Sequence, residues 1–385
     1  MKAWKRILAL ILALLMITAA LVSCKDDTDG EGEEPPATDD TPKAEEKEID
    51  VYFIAGQSNA SGFSKIKDAD KLYADFPALQ SGTAPYIMYA GNPNGNSGDN
   101  VQNKDWGDVK LGFGGNASNM GPEVGMAKAL SAYYNAESGK HAAIIKFANG
   151  GTGLCNTEGK GSNAQGDWTP PSFGKPDEDN DSTNYIGGLY RGLVAEAYKR
   201  ISELKQKGYT KINVKGLYWM QGCNDTWRYS PDPNNIAHNW YTNAFKCLVT
   251  DFRKDLTDIM QTVQGNNGGA NNLPFFIGTI SPTYSLDISS LGTPAEDNGA
   301  LLETAKKRND PFIAMQKTLV ESNSNCYIVD NGAYRTIDYV IENEGTPQQK
   351  VKYTVVGTDY SHWSQDDCYE IGQNVGKLML EKCTK

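Results

Sequence analysis

The chain has 385 residues, enough for one large α/β domain or two small ones. Its formal net charge at pH 7 is −11, with 48 acidic side chains against 37 lysines and arginines, and this balance argues against nucleic acid as a partner. The seven cysteines form no CxxC pair, and no group of cysteines and histidines has the spacing of metal ligands, so we predict neither a metal site nor a cofactor.

Residues 1–24 have the pattern of a signal peptide, because a basic start precedes an apolar run over residues 7–22 that is short for a membrane span. The segment Leu21-Val22-Ser23-Cys24 that ends it resembles a bacterial lipobox, in which the cysteine is lipidated; a plain cleaved signal peptide is the alternative. We therefore expect an exported lipoprotein, in the periplasm or at the cell surface, whose only membrane contact is a lipid anchor at Cys24.

Residues 25–48 are predicted to form an acidic, disordered tether. The stretch from Lys25 to Asp50 holds twelve acidic residues and three lysines but almost nothing apolar, so it cannot bury enough surface to become ordered. The acidity of the chain therefore says more about this tether than about a substrate. No repeat or linker divides residues 49–385, which are predicted to be one domain and a monomer.

The first predicted strand ends at a serine. Residues 49–55 are almost entirely apolar, as expected of a strand buried on both faces, and Gly56 then interrupts the run. Ser58 follows where the chain turns toward a helix, so its hydroxyl is expected to be exposed and its N–H to lie near a positive helix terminus. The alternative is that Ser58 is an ordinary helix N-cap.

Strands and helices alternate along the rest of the chain. Strands are predicted over residues 86–90, 142–147, 212–219, 274–280 and 326–330, helices over 122–139, 189–204, 240–263, 311–321 and 367–382, and a hairpin over 337–356. Such alternation requires crossover connections, which predict a mainly parallel sheet covered on both faces, a three-layer α/β/α sandwich. Ligands bind at the carboxyl ends of such strands, where Ser58, Gly150 and Gln221 are expected to meet.

Only one of the three histidines is well placed to activate a serine. His141 is expected at the start of a strand, at the wrong edge of the sheet, and His238 is expected to be solvated before a helix. His362 lies three residues after Asp359 in a loop. This spacing allows the carboxylate to accept a hydrogen bond from one imidazole nitrogen while the other nitrogen faces Ser58.

Five segments together resemble one family. They are Gly56-Gln57-Ser58-Asn59, Gly121-Pro122-Glu123, Lys146 to Thr152, Trp219 to Asp225, and Asp359 to His362. In this order they resemble the SGNH (GDSL-like) hydrolases, in the branch of the sialate O-acetylesterases and acetylxylan esterases. The resemblance covers nearly all of the chain from Asp50 onward. It implies the SGNH hydrolase fold, with a flavodoxin-like sheet, and a serine esterase that removes O-acetyl groups from polysaccharide or sialic acid through an acyl-enzyme.

The resemblance also implies roles for single residues. Ser58, His362 and Asp359 would be the nucleophile, the base and the orienting acid. The oxyanion hole would consist of the N–H groups of Ser58 and Gly150 and the side-chain amide of Gln221. Asn224 is a rival to Gln221, because the segment from Gly222 to Asp225 also fits the GxND pattern of the wider superfamily. Glu123 is expected to brace the start of its helix rather than to act in catalysis.

Cys223 departs from the family, which usually has glutamate after the Gln-Gly pair. We expect it to form a disulfide with Cys155, because both follow strands that should be neighbours about 4.8 Å apart. A catalytic Cys223 and an unpaired structural cysteine are the alternatives. Cys368 and Cys383 flank one predicted helix and cannot pair if that helix is continuous.

Two other functions remain open from the sequence. A glycan-binding lipoprotein on a degenerate hydrolase scaffold is the main alternative, whereas a lipase or thioesterase would need an apolar acyl groove of which the polar loops give no sign. Five aromatic residues in predicted loops are candidates to stack on sugar rings, although burial in the core is the alternative for each. They are Trp106, Trp168, Trp227, Tyr229 and Trp363.

Overall fold

The computed structural model describes residues 47–83, 86–92, 105–154, 167–173, 186–265, 269–284, 299–334, 337–342, 345–346, 350–355 and 361–384. All of them lie in one compact unit, Glu46–Lys385. The predicted signal peptide, with Cys24, and the tether up to residue 46 lie outside these ranges, as do Cys155 and Asp359. Within the ranges, no helix is both long and apolar enough to cross a membrane.

The strands of the described ranges form one large parallel sheet and two small antiparallel pairs. They are β1 (Glu48–Gly56), β2 (Ser64–Lys65), β3 (Ile87–Asn92), β4 (Asn119–Met120), β5 (Ala142–Ala148), β6 (Lys211–Met220), β7 (Phe275–Gly278), β8 (Cys326–Val329), β9 (Ile337–Glu342) and β10 (Lys350–Val355). The parallel sheet has the order β3-β5-β1-β6-β7-β8. β2 pairs with β4, and β9 pairs with β10 as the predicted hairpin.

Helices cover both faces of this sheet. They are α1 (Ser58–Ser61), α2 (Ala69–Asp75), α3 (Ala78–Ser81), α4 (Glu123–Leu130), α5 (Gly188–Gln206), α6 (Ile236–Gln264), α7 (Gly299–Ser322) and α8 (Gln365–Cys383). One apolar cluster joins α5, α6 and α7 to Val51 and Phe53 of β1, and a second joins α4 and α8 to Tyr52 and Ile54. Alternate residues of one strand thus serve two cores, which confirms the predicted three-layer α/β architecture.

Two helix predictions have the wrong bounds. α4 ends at Leu130 rather than near residue 139, because the N–H groups of Ala132 and Tyr133 bond to carbonyls three residues back, and the side chain of Asn135 then takes the carbonyl of Ser131. α7 begins twelve residues before the predicted start, with Pro311 in its interior. The part of α7 before the predicted start is held by contacts outside the helix, because the side chains of Arg308 and Asn309 donate to the carbonyl of Tyr284.

The strand order corrects one further expectation. β5 and β6 were expected to be neighbours, but β1 lies between them and pairs with both. The ends of β5 and β6 are therefore two strand spacings apart, roughly 9.6 Å. The first strand of the domain is central in the sheet, so the turn that follows it has a neighbouring loop on each side.

Candidate active site

Ser58 lies where β1 ends between its two neighbours. Gly56 has a φ of 137°, and a Cβ at this position would lie 2.1 Å from the carbonyl oxygen of Met220, so only glycine fits. The N–H of Gln57 donates to that same oxygen over 3.0 Å, and the N–H of Asn149 donates to the carbonyl of Gly56 over 2.9 Å. These contacts hold the strand end and turn the chain into α1.

Ser58 is the first residue of α1, and its helix N-cap is Gln57. The alternative that Ser58 is an ordinary N-cap is therefore wrong. The sequence predicted an exposed hydroxyl, whereas Ser58 is mostly buried, with 8% of the residue exposed, because the neighbouring loops enclose the end of β1. Because the first N–H groups of a helix have no partner inside the helix, the N–H of Ser58 is a donor at the positive end of the turn.

Gly150 lies close to Ser58, and Phe63 links Gly150 to His362. A Cβ at Gly150 would lie 3.5 Å from the Cβ of Ser58 and 3.6 Å from the ring of Phe63. Phe63 in turn stacks on the imidazole of His362, with ring centroids 5.2 Å apart and planes at 22°. The structure thus brings three sequence-predicted site residues, Ser58, Gly150 and His362, into one contiguous group around Phe63.

A hydrogen bond also ties the serine turn to the histidine loop. The side-chain amide of Asn59 donates to the carbonyl of Ser361 over 3.0 Å, so the neighbour of Ser58 holds the neighbour of His362. Asp359, the predicted orienting acid, lies outside the described residues. The roles of Asn59 and Phe63 were missed in the sequence, where the only signal was that Asn59 follows the serine directly and Phe63 lies five residues after it.

The other two histidines lie away from this group. His141 precedes β5, at the amino end of the sheet, and stacks on Tyr86. The Nδ1 atom of His238 is 2.9 Å from the carbonyl oxygen of Ser230, and its ring stacks on Tyr229. Of the three histidines, His362 alone is in the group around Ser58.

A buried ion pair holds the end of α1, the short helix that begins with Ser58. The side chains of Lys146 and Glu123 are fully buried and 2.9 Å apart. Lys146 also donates to the carbonyls of Ser61 and Phe113, each over 2.9 Å, while Glu123 accepts from the N–H of Gly121. Burial lowers the pKa of Lys146, and Glu123 opposes this shift. Glu123 thus has a bracing role, as the sequence indicated.

Gln221 and Asp225 join the loops that follow β5 and β6. The amide nitrogen of Gln221 donates to the carbonyl of Thr152 over 2.9 Å and to the carboxylate of Asp225 over 2.5 Å. Asp225 also accepts from the backbone N–H of Leu154 at 3.1 Å. Both N–H groups of Gln221 are therefore in use, and its predicted role as an oxyanion donor requires one of these bonds to break.

Cys223 is an unpaired structural cysteine. It is fully buried in the apolar cluster of α5, α6 and α7 and carries a free thiol, so the predicted disulfide with Cys155 is not formed. The reason is that the Cys223 side chain faces the core, whereas Asp225 two residues later makes the contact between the loops. Burial, and next the charge of Asp225, raise the pKa of the Cys223 thiol, which argues against a catalytic thiolate.

The remaining described cysteines are also free thiols. They are Cys247, Cys326, Cys368 and Cys383. Cys368 and Cys383 both belong to the continuous helix α8, as expected of two cysteines that cannot pair.

Only one of the five candidate sugar-stacking residues is well exposed. Trp168 and Trp363 are buried, and Trp168 packs edge-on against Phe147 and Trp219. Trp106 and Tyr229 are half-buried against the core. Trp227 is 60% exposed and lies in the short 3₁₀ turn Asn224–Trp227 that follows the Gln221 loop.

We expect Gln221→Ala to destabilise the protein by about 1–3 kcal/mol, because it leaves the Asp225 carboxylate and the Thr152 carbonyl buried without this donor. Thermal unfolding measures this change. Asn224→Ala is the comparison, since the Asn224 amide oxygen accepts from Tyr284 while no described residue accepts from its amide nitrogen. The variant that loses about 100-fold or more in kcat, measured at a temperature where both variants are fully folded, identifies the side-chain oxyanion donor. A Gln221→Ala protein as stable as the parent would contradict the bracing role.

Comparison with known proteins gave one family match. The model of the family described as carbohydrate esterase, sialic acid-specific acetylesterase matches residues 48–281, more than half of the chain. This region includes Ser58, Gly150 and Gln221, whereas His362 lies beyond it. No curated protein matches the chain.

Several solved structures are similar over most of their length. NanS is 16% identical with a TM-score of 0.48, over 87% of this chain and 97% of NanS. A protein of Arabidopsis thaliana is 15% identical with a TM-score of 0.40, over 87% and 98% of the two chains. Est24, a carbohydrate acetylesterase from Sinorhizobium meliloti, is 10% identical with a TM-score of 0.39, over 86% and 98%.

Proposed function

The chain belongs to the carbohydrate esterase family of sialic acid-specific acetylesterases, and from this premise we propose that it is a serine esterase that removes O-acetyl groups from carbohydrates. The resemblance seen in the five sequence segments is thereby confirmed at the level of the family. Family membership supports acetylesterase activity in general. The acetylated sugar, polysaccharide or sialic acid, and the residues that act on it belong to the proposal.

The contiguous group of Ser58, Gly150, Phe63 and His362 is the observation that carries this proposal. A serine hydroxyl is a weak nucleophile at neutral pH and needs a base to take its proton. In the proposed reaction His362 accepts the proton of Ser58 as its Oγ bonds to the acetyl carbon. The bond from that carbon to the sugar oxygen then breaks, and His362 returns the proton to the departing sugar hydroxyl.

The second half of the reaction regenerates the serine. Water attacks the acetyl-serine ester with His362 again as the base, acetate leaves, and Ser58 recovers its proton. The N–H groups of Ser58 and Gly150 would stabilise the oxyanion in both halves, because donors held at a strand end need no reorganisation as charge develops. Asp359 is proposed to orient the imidazole.

Acetate release tests the proposal. Acetylated xylan, O-acetylated sialic acid and an aryl acetate would each be incubated with the protein, beside an aryl ester of a long fatty acid. We expect acetate from the aryl acetate and from at least one acetylated sugar, with little hydrolysis of the long-chain ester. No release from any acetate would refute the esterase and favour the glycan-binding alternative. Faster hydrolysis of the long-chain ester would instead favour a lipase.

A further inference from the structure

A buried threonine holds the backbone carbonyl of Asn149. The hydroxyl of Thr152, a fully buried residue, donates to this carbonyl over 2.7 Å. The indole N–H of Trp168 donates to the oxygen of the same hydroxyl over 2.8 Å. Because an indole is a donor only, the hydroxyl accepts from it and keeps its single hydrogen for the Asn149 carbonyl.

The Asn149 carbonyl belongs to the same peptide group as the N–H of Gly150, the proposed oxyanion donor. A peptide group is planar and trans, so its carbonyl and its N–H point in opposite directions. The bond from Thr152 to the carbonyl therefore also sets the direction of the Gly150 N–H. A Cβ at Gly150 would lie 3.5 Å from the Cβ of Ser58, so this donor is beside the proposed nucleophile.

The glycines of this turn make the direction of that peptide group easy to change. Gly150 follows it directly, and Gly151 comes next with a φ of 71°, a conformation that favours glycine. On the other side the chain is fixed, because the N–H of Asn149 donates to the carbonyl of Gly56 over 2.9 Å. A rotation of the peptide group would break its bond to Thr152, so this bond opposes the rotation.

The threonine is itself anchored in the core. The carbonyl of Thr152 accepts from the side-chain amide of Gln221 over 2.9 Å. Trp168, which donates to its hydroxyl, is fully buried and packs edge-on against Phe147 and Trp219. An anchor with such neighbours keeps the groups that it contacts in one geometry.

We propose that Thr152 is a positioning residue of the esterase, which aims the N–H of Gly150 at the oxyanion. The inference rests on the proposed function at Ser58 and gives a role to a buried side chain that acts through Gly150. Donors that are oriented before the reaction stabilise the developing charge without reorganisation. A peptide group that rotates away loses this stabilisation in the transition state, while binding of the ester itself is retained.

Three substitutions of Thr152 test this role. Thr152→Val keeps the shape of the side chain but removes the hydroxyl, and we expect kcat for an aryl acetate to fall about 10–100-fold with little change in KM. Thr152→Ser keeps the hydroxyl and should retain most of kcat. Thr152→Cys offers only a weak donor and should have a lower kcat than Thr152→Ser. The serine and cysteine variants differ little in size, so their comparison stands even if the valine variant does not fold.

Thr83→Val makes the same chemical change at a second buried threonine. The Thr83 hydroxyl donates to the carbonyl of Ile87 and accepts from the N–H of Val109, each over 2.8 Å. Thr83 precedes β3, at the amino edge of the sheet and away from the serine turn. Both valine variants leave a buried carbonyl without its donor and should lose stability alike in thermal unfolding. Only Thr152→Val should lose kcat at a temperature where both are folded.

An aryl trifluoromethyl ketone reports on the oxyanion directly. The oxygen of Ser58 adds to its carbonyl carbon, the serine proton passes to His362, and the carbonyl oxygen becomes an oxyanion. We expect Ki of this ketone to rise in Thr152→Val by about the factor by which kcat falls, because the adduct resembles the transition state. Ki of the matching methyl ketone, which stays largely trigonal, should change much less.

Two results would overturn the positioning role in a protein that hydrolyses the aryl acetate. One is an equal kcat in Thr152→Val and Thr83→Val, and the other is a trifluoromethyl ketone Ki that is the same with and without the Thr152 hydroxyl. An unchanged protein that does not hydrolyse the aryl acetate refutes the proposed function and this inference with it. The two failures are therefore distinguishable.

Discussion

Ser58→Ala should hydrolyse an aryl acetate on the order of 10⁴–10⁶-fold more slowly than the unchanged protein. The methyl group that remains has no atom to bond to the acetyl carbon, so no acyl-enzyme forms. The N–H groups of residues 58 and 150 are unaffected, and they account for any residual rate. Steady-state kcat for the aryl acetate, and the loss of the initial burst that an acyl-enzyme produces, measure the effect.

Ser61→Ala is the matched control. Ser61 lies in the same short helix and is fully buried, and its hydroxyl has no partner in the described part of the chain. Its replacement makes the same chemical change three residues away, so both variants should fold alike while only Ser58→Ala loses activity. Near-normal turnover by Ser58→Ala, or an equal loss in Ser61→Ala, would contradict the assignment of the nucleophile.

The fold was predicted well where apolar periodicity is strong. The strands from residue 142 and from residue 212 were placed within one or two residues, because both are buried runs bounded by polar loops. The strand order was not predicted, since periodicity shows that a strand is buried but not which strands flank it. β1 separates β5 from β6, and the expected disulfide relied on their adjacency.

The sequence predicted those site residues whose chemistry and motif are recognisable, but it did not predict the contacts that the fold creates between loops. Ser58, Gly150 and His362 carry recognisable chemistry in a family pattern, and the structure brings them together. The contribution of Asp225 was missed because a loop carboxylate reads as solvent-exposed, whereas here it accepts from Leu154 and Gln221. This brace supplies what the disulfide was expected to supply in place of the missing glutamate.

His362→Ala is expected to lower kcat for the aryl acetate by about 10⁴–10⁶-fold, close to the loss expected for Ser58→Ala. Without the imidazole no group in the contiguous site takes the serine proton, and a neutral hydroxyl attacks an ester very slowly. His238→Ala is the matched control, because that ring is half-buried and stacks on Tyr229 rather than on Phe63. It should keep nearly full activity.

The double variant Ser58→Ala/His362→Ala shows whether the two residues act as a unit. If the histidine works only through the serine, removal of both costs no more than removal of one, since the second change deletes a function already lost. We therefore expect the double variant to match Ser58→Ala within a few-fold. Losses that multiply would mean that His362 serves another step, and full activity of His362→Ala would mean that a different group is the base.

Phe63→Leu adds an independent check on the position of His362. It removes the ring stacked on the imidazole and should lower kcat less than the loss of His362 itself, with little change in KM.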